Sequence, residues 1–292
     1  MKIAIYSYKL DDKYLSFIEL LFKTLLKKEV EVLVYKPFYD ELKNKLSLDS
    51  TIKVFTSNKN IKEINYLFSI GGDGTLLKTV TIVKDSNVPV LGINTGRLGF
   101  LTSIETAELN CAIDAILCGN FDLDTRTLLS LHTKNNLFGD VNYALNEITL
   151  QKKDTSSMIT IQVYLGNEFL NSYWADGLII STPTGSTAYS LSCNGPIILP
   201  GSGSLIINPI APHNLNVRPV VIPDNAELTL KIAGRTENFL VALDSRSLTV
   251  PLSNELKIKK AEHKINLIRL KDYSFLNTLR SKLIWGQDKR NY

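Results

Sequence analysis

The chain has 292 residues with 44% hydrophobic and 21% charged side chains and a formal net charge of +4. That length exceeds one typical domain of roughly 100–200 residues, so two domains are expected, and the balance is that of a globular chain able to build a core. Lysines and glutamates are scattered rather than massed, which gives no nucleic-acid surface, and no apolar run reaches the roughly 18 residues of a membrane span.

Residues 2–8 form a first apolar strand, entered directly and without the layout of a signal peptide. Residues 14–28 place Tyr14, Phe17, Ile18, Leu21 and Leu25 on one helical face. A strand over 30–35, a short helix over 38–46 and strands over 52–55 and 66–70 follow. The last of these runs into Gly71-Gly72-Asp73-Gly74-Thr75, after which 76–84 carries a helical stripe, and 88–93 is a further buried strand. Alternating strands and helices predict a parallel sheet with ligands at the carboxyl ends of its strands. From about residue 121 the period changes to two. Runs over 121–129, 141–150, 158–165, 169–174, 178–182, 228–233, 239–243 and 256–270 predict a mostly antiparallel, sandwich-like second domain, with Gly166-Asn167 as a hairpin turn. Residues 273–285 return to helical spacing. Cys111, Cys118 and Cys193 are an odd number without CxxC spacing and read as unpaired thiols in a reducing cytoplasm.

The glycines around Asp73 remove side chains that would keep a phosphate from backbone N–H groups, and a helix N-terminus aims partial positive charge at the same spot. A carboxylate there repels phosphate unless a metal intervenes or a hydroxyl must be held or deprotonated. The combination points to phosphoryl transfer onto a hydroxyl, against the plainer reading of a turn aspartate capping the next helix. The second glycine turn, residues 92–101, offers Asn94 as a bridge between backbone and a ligand hydroxyl. Asn146 and Glu147 are adjacent polar residues in an apolar strand; they either sit on an exposed edge or find buried partners such as ribose hydroxyls or an adenine amino group. Asp176 and the hydroxyl-rich stretch 181–192 frame space for a flat ring or a phosphate, with Tyr189 able to stack. There is no G-x-x-x-x-G-K-[ST] and no G-x-G-x-x-G, so neither a P-loop nor the usual dinucleotide fingerprint is present. His132, His213 and His263 are scattered, which argues against a structural zinc site.

Taken together, G-G-D-G-T at 71–75, G-I-N-T-G-R-L-G-F-L at 92–101, N-E at 146–147, D-G at 176–177 and T-P-T-G-S-T-A-Y-S-L-S at 182–192 resemble the NAD kinases, in order and at fitting separations, from the first strand to about residue 250. The resemblance implies an α/β nucleotide-binding domain over 1–105 and a β-rich NAD-binding domain over 106–270, with 271–292 belonging to the second or returning to the first. It implies phosphorylation of the 2′-hydroxyl of the adenosine ribose of NAD by ATP with Mg²⁺ or another divalent cation, giving NADP, in a cytoplasmic homo-oligomer, dimer or tetramer, without nucleic-acid or membrane partners. Asp73 is then the acceptor of the hydroxyl proton. Gly72, Gly74, Thr75, Lys78, Asn94 and Phe100 are nucleotide-binding positions, with Lys78 able to reach a phosphate. Asn146 and Glu147 bind ribose and adenine, and Asp176 contacts the nicotinamide half. Thr187, Ala188, Tyr189, Ser190, Leu191 and Ser192 surround the dinucleotide, with Thr184 and Ala211 nearby. No protein metal site is implied. Two departures stand out: Arg246 in Asp244-Ser245-Arg246, where a glutamine is usual, and Cys193-Asn194-Gly195, where a small-glycine pair is usual.

G-G-D-G-T by itself is shared with diacylglycerol, sphingosine and 6-phosphofructo-kinases. A lipid kinase is therefore the enzymatic alternative, disfavoured by the polar 182–192 stretch, and a nucleotide-binding regulator without turnover is the non-enzymatic one.

Overall fold

The computed structural model describes residues 1–285 apart from Leu10, Ser57, Arg97, Leu98, Ser103, residues 154–157, Thr236 and Asp272, and apart from the side chains of residues 58–60. Arg97 and Leu98 of the second glycine turn thus lie outside the described residues. The chain divides into two compact units, Met1–Asp124 with Ile265–Tyr292, and Thr125–Lys264.

In the first unit the strands β1 (Lys2–Tyr6), β2 (Glu31–Tyr35), β3 (Lys53–Phe55), β4 (Tyr66–Ile70), β5 (Val90–Asn94) and the short β6 (Ile104–Glu105) alternate with the helices α1 (Leu15–Lys27), α2 (Lys36–Leu42), α3 (Asp73–Val83) and α4 (Leu109–Leu117). The sheet is parallel in the order β3-β2-β1-β4-β5. Its central strands are apolar on both faces, as expected where helices cover both sides: Ile3, Ala4 and Ile5 of β1 and Leu67, Phe68 and Ile70 of β4 are at most 1% exposed. α1 buries Phe17, Ile18, Leu21, Phe22 and Leu25 in this core and ties its outer face with a Glu19–Lys23 pair one turn apart. α2 stops at Leu42 rather than 46, because the chain turns there and Leu46 packs against the core. α3 begins at Asp73, three residues before the apolar stripe, with Gly72 as its N-cap. α4 buries Leu109, Ala112, Ile113 and Ile116, a stripe the sequence reading passed over.

The second unit has two antiparallel sheets. β7 (Phe121–His132), which starts in the first unit, pairs with β8 (Tyr143–Ala144). After β9 (Glu147–Lys152), the strands β10 (Ile159–Leu165) and β11 (Glu168–Ala175) form a hairpin closed by Gly166-Asn167. Then come β12 (Gly177–Ser181), the short helix α5 (Tyr189–Ser192), β13 (Ser204–Ile210), β14 (Val220–Pro223), β15 (Leu228–Ala233), β16 (Asn238–Leu243) and β17 (Arg246–Pro251). β18 (Leu256–Leu270) ends the unit and continues into the first, where Leu267 pairs with Val90; α6 (Phe275–Leu283) follows. One sheet runs β11-β10-β15-β18 and the other β14-β13-β12-β9-β16-β17. Their inward residues, among them Ile161, Val163, Leu178, Ile180, Leu205, Ile207, Phe239 and Val241, share one core. Among the described residues no helix is long and apolar enough to cross a membrane.

Candidate active site

In the first unit the site residues gather where β4 and β5 end. Gly71, at φ +146°, makes the exit from β4; a Cβ there would stand 2.3 Å from Thr75 Oγ1, so only glycine fits. No side chain caps the head of α3, and Gly72 and Gly74 are exposed, with nothing within 4 Å of where a Cβ would stand. Backbone N–H groups are thereby offered to an anion.

Asp73 is held by the second glycine turn. Its Oδ2 accepts from the N–H of Phe100 at 2.8 Å. Its Oδ1 accepts from the N–H of Leu101 at 3.2 Å, the N–H of Thr102 at 3.0 Å and the Thr102 hydroxyl at 3.0 Å. The Thr102 hydroxyl accepts in turn from Asn94 Nδ2 and the Gly99 N–H, both at 3.2 Å, so its single proton is left for Asp73. Asn94 also folds the turn locally, its Oδ1 accepting from the Gly96 N–H at 2.6 Å. Asp73, Asn94 and Phe100 are therefore one network; three of the four donors crowd Oδ1, so of the two lone-pair directions on Oδ2 one stays open. Lys78, one turn further along α3, lies with its ammonium 2.7 Å from the centroid of the Tyr8 ring.

In the second unit Asn146 and Glu147 escape strand alternation because the expected strand over 141–150 is broken. β8 ends at Ala144, the chain bends through Leu145-Asn146, and β9 starts at Glu147. Asp244, itself at φ +51°, fills the bend: its carboxylate accepts from the N–H groups of Leu145 at 2.8 Å, Asn146 at 2.8 Å and Glu147 at 3.2 Å. Burial pushes the Asp244 carboxyl up, opposed by these donors and by Arg246. Arg246 is turned inward: its guanidinium donates to the carbonyls of Val141 and Tyr143.

Glu147 is 8% exposed, and its Oε2 has no hydrogen-bond partner among the described residues. Burial first, then the Asp244 carboxylate, push its pKa up to about 8, against one N–H bond from Tyr189. The carboxyl is protonated at neutral pH and can donate. From the ordinary 4.5 up to about 8 the unfolded chain has lost this proton while the folded chain keeps it, so stability falls as pH rises through that window. Melting of ligand-free protein from pH 5 to pH 8.5 should show a Tm decline that is smaller by roughly 3–8 °C in Glu147→Gln. Parallel curves would mean Glu147 is already ionised at pH 5.

The hydroxyl-rich stretch is a 3-10 turn, Thr184–Thr187, followed by α5. Thr182 donates to the Leu145 carbonyl at 2.6 Å, which fastens the turn to the bend that carries Asn146. Thr184 and Ser190 are buried: Thr184 Oγ1 accepts from Arg126 at 3.1 Å, and Asn208 Nδ2 donates to the Ser190 carbonyl at 2.9 Å and hydroxyl at 3.2 Å. Thr187, Ala188, Tyr189 and Leu191 are half-buried and Ser192 exposed. The Tyr189 hydroxyl accepts from Gln151 at 3.1 Å, so this residue spans β9 from Glu147 to Gln151. Asp176 lies at the other end of the β9–β12 pair, in an ion pair with Lys152 at 2.7 Å, and Ala211 follows Ile210, whose carbonyl accepts from the Asp176 N–H. His213 packs against Trp174 at a tilt, with ring centroids 4.5 Å apart. All three cysteines are free; Cys111 and Cys118 on and just after α4 are exposed, while Cys193 is half-buried and its thiol is pushed up by burial.

Thr102, Asp244, Asn208, Arg126 and Arg269 are the supporting residues that sequence reasoning did not single out for these roles. Each bonds to a residue distant in the chain, and a single sequence gives no signal for such pairs.

Models of the ATP-NAD kinase N-terminal domain and of the ATP-NAD kinase C-terminal domain match residues 5–121 and 145–270. The NAD kinase of Flavobacterium psychrophilum is 48% identical over 294 residues and that of Cytophaga hutchinsonii 46% over 292, each pair covering 100% of both chains. Among solved structures, yeast NADH kinase complexed with NADH superposes with a TM-score of 0.87 at 21% identity, covering 98% of this chain and 88% of that one. An NAD kinase from Archaeoglobus fulgidus in complex with ATP gives 0.75 at 24%, covering 97% and 99%. These two share the fold. With both family models matched in order and near-half identity over full length to curated relatives, the chain belongs to the ATP-NAD kinase family, a family of phosphotransferases.

Proposed function

We propose that this enzyme transfers the γ-phosphoryl group of ATP to the 2′-hydroxyl of the adenosine ribose of NAD, giving NADP and ADP. The bond from phosphorus to the β-γ bridging oxygen breaks, the bond from phosphorus to the ribose oxygen forms, and the hydroxyl proton passes to Oδ2 of Asp73. The observation that carries this is the carboxylate of Asp73, fixed by four donors with one lone pair open. A carboxylate so oriented repels a phosphate but accepts a hydroxyl, while the uncapped head of α3 at Gly72 and Gly74, with the Thr75 hydroxyl, receives phosphate oxygens. Lys78 exchanges the Tyr8 ring for a phosphate.

In the second unit, Asn146 and the protonated Glu147 bind the ribose and adenine, and Asp176, with Ala211 beside it, takes the nicotinamide half. Thr187, Ala188, Tyr189, Leu191 and Ser192 present the accessible face of the hydroxyl-rich turn, and Thr184 and Ser190 hold that turn in shape. Among the described residues no group of three or more His, Cys, Asp or Glu forms a cage. A magnesium ion would arrive on the triphosphate, liganded by phosphate oxygens and water. When bound, the ion neutralises charge on the β- and γ-phosphates. Three unpaired thiols fit a reducing cytoplasm. The exposed Phe169 and Trp174 on the edge strand β11 support a homo-oligomer, which light scattering would measure.

The direct test mixes purified protein with ATP, Mg²⁺ and NAD and reads NADP with an NADP-specific dehydrogenase. Absence of NADP overturns the proposal, and phosphorylation of diacylglycerol instead would favour a lipid kinase. Gly74 gives a second test. Alanine there meets nothing and should stabilise α3 by about 0.5–1 kcal/mol, raising Tm slightly. If phosphate approaches this backbone, the same Gly74→Ala variant loses at least about tenfold in kcat/KM. A stabler protein with full activity would place the phosphates elsewhere.

A further inference from the structure

The two peptides that grip Asp73 Oδ1 are themselves gripped from behind. The carbonyl of Phe100 and the N–H of Leu101 belong to one rigid plane, and the carbonyl of Leu101 and the N–H of Thr102 to the next. The N–H ends reach Asp73 at 3.2 and 3.0 Å. The carbonyl ends face one guanidinium: Arg269 donates through Nη1 to Leu101 O at 2.9 Å and through Nη2 to Phe100 O at 3.5 Å.

Arg269, near the end of β18, is 4% exposed. Its Nε donates to Asp124 Oδ2 at 3.1 Å, and its guanidinium carbon stands 4.2 Å from the centroid of the Tyr273 ring. A planar fork held along three directions and covered on one face cannot swing. Fixing the carbonyl end of a planar peptide fixes its N–H end, and hydrogen bonds in series polarise one another. A positive guanidinium, two peptides and a negative carboxylate therefore form one aligned chain.

The geometry points to Arg269, anchored by Asp124, as a positioning residue for Asp73: it sets the Phe100–Thr102 peptides that aim the open lone pair of Oδ2. This rests on Asp73 receiving the ribose proton. A stabilising arginine alone would need none of these carbonyls to belong to the peptides that hold the acid.

The test compares Arg269→Lys, which keeps the charge but loses the fork, with the wild type in NADP formation. We expect kcat to fall about 10–100-fold, with KM for NAD and for ATP within about twofold, since Arg269 is buried behind the loop. In the Asp73→Asn background, where the residual rate is read by an NADP cycling assay, the same change should cost less than about threefold, because its effect passes through the carboxylate. A folded Arg269→Lys variant turning over within twofold of wild type overturns the inference, as does a full second loss in the Asp73→Asn background. If Arg269→Lys does not fold, Asp124→Asn replaces it, with a kcat loss of about 3–10-fold supporting the inference and an unchanged kcat overturning it. Failure of the Asp73 assignment itself looks different: Asp73→Asn alone then turns over near the wild-type rate.

Discussion

Asp73→Asn should lower kcat by about 10²–10⁴-fold while the protein still binds NAD with an affinity within a few-fold of the wild type. Asparagine is nearly the same shape, so its oxygen can take the place of Oδ1 and accept from Leu101, Thr102 and the Thr102 hydroxyl. Its NH₂ then stands where Oδ2 was, donor facing donor at the Phe100 N–H, with nothing left to accept a ribose proton. Calorimetric titration of NAD, alongside single-turnover NADP formation, separates binding from chemistry. A variant within tenfold of the wild-type rate would remove Asp73 from the proton transfer.

Gly99→Ala should be nearly as damaging without adding or removing a functional group. A Cβ on Gly99 would stand 1.7 Å from Asp73 Oδ1 and 2.3 Å from its carboxyl carbon, so the loop and the acid cannot both keep their places. A displacement of about 1 Å at a reacting group costs on the order of 10²-fold in rate, which is the loss expected in kcat. The head of α3 and the second unit stay intact, so the affinity for NAD should change less than turnover does. Equal losses in both would mean that Gly99 lines the nucleotide directly and does not merely make room for the carboxylate.

The local signals in the sequence were strong where the chain organises itself over a few residues. The apolar run of β4, the glycine turn after it and the alternation of β10, Gly166-Asn167 and β11 all depend on near neighbours. The apolar stripe starts at Leu76, whereas α3 starts three residues earlier, where Gly72 lets the backbone turn. β13, which is absent from the alternating runs, carries Asn208 and Pro209 inside the strand. Proline is tolerated there because the pairing of β13 with β14 ends at Ile207, so the missing N–H falls on a side with no partner strand. Asn208 is tolerated because its amide serves Ser190.

The candidate residues were found as motifs, but the forces that shape them were not legible. Asn146 and Glu147 looked anomalous in a strand; the cause is a carboxylate about 100 positions further on, which opens the strand by taking three successive N–H groups. Arg246 stands out as a departure from the usual glutamine, yet its guanidinium is committed to main-chain carbonyls. Both cases turn on long-range side-chain to backbone bonds, to which neither periodicity nor spacing responds.

The unequal settings of the three cysteines have a practical consequence. An alkylating dye added at neutral pH meets two open sulfurs, Cys111 and Cys118, before the sheltered one at Cys193. A fluorophore can therefore be fixed at α4 of the native chain without engineering, leaving the tyrosine-bearing turn chemically untouched as an internal reference for how fast that third sulfur becomes available.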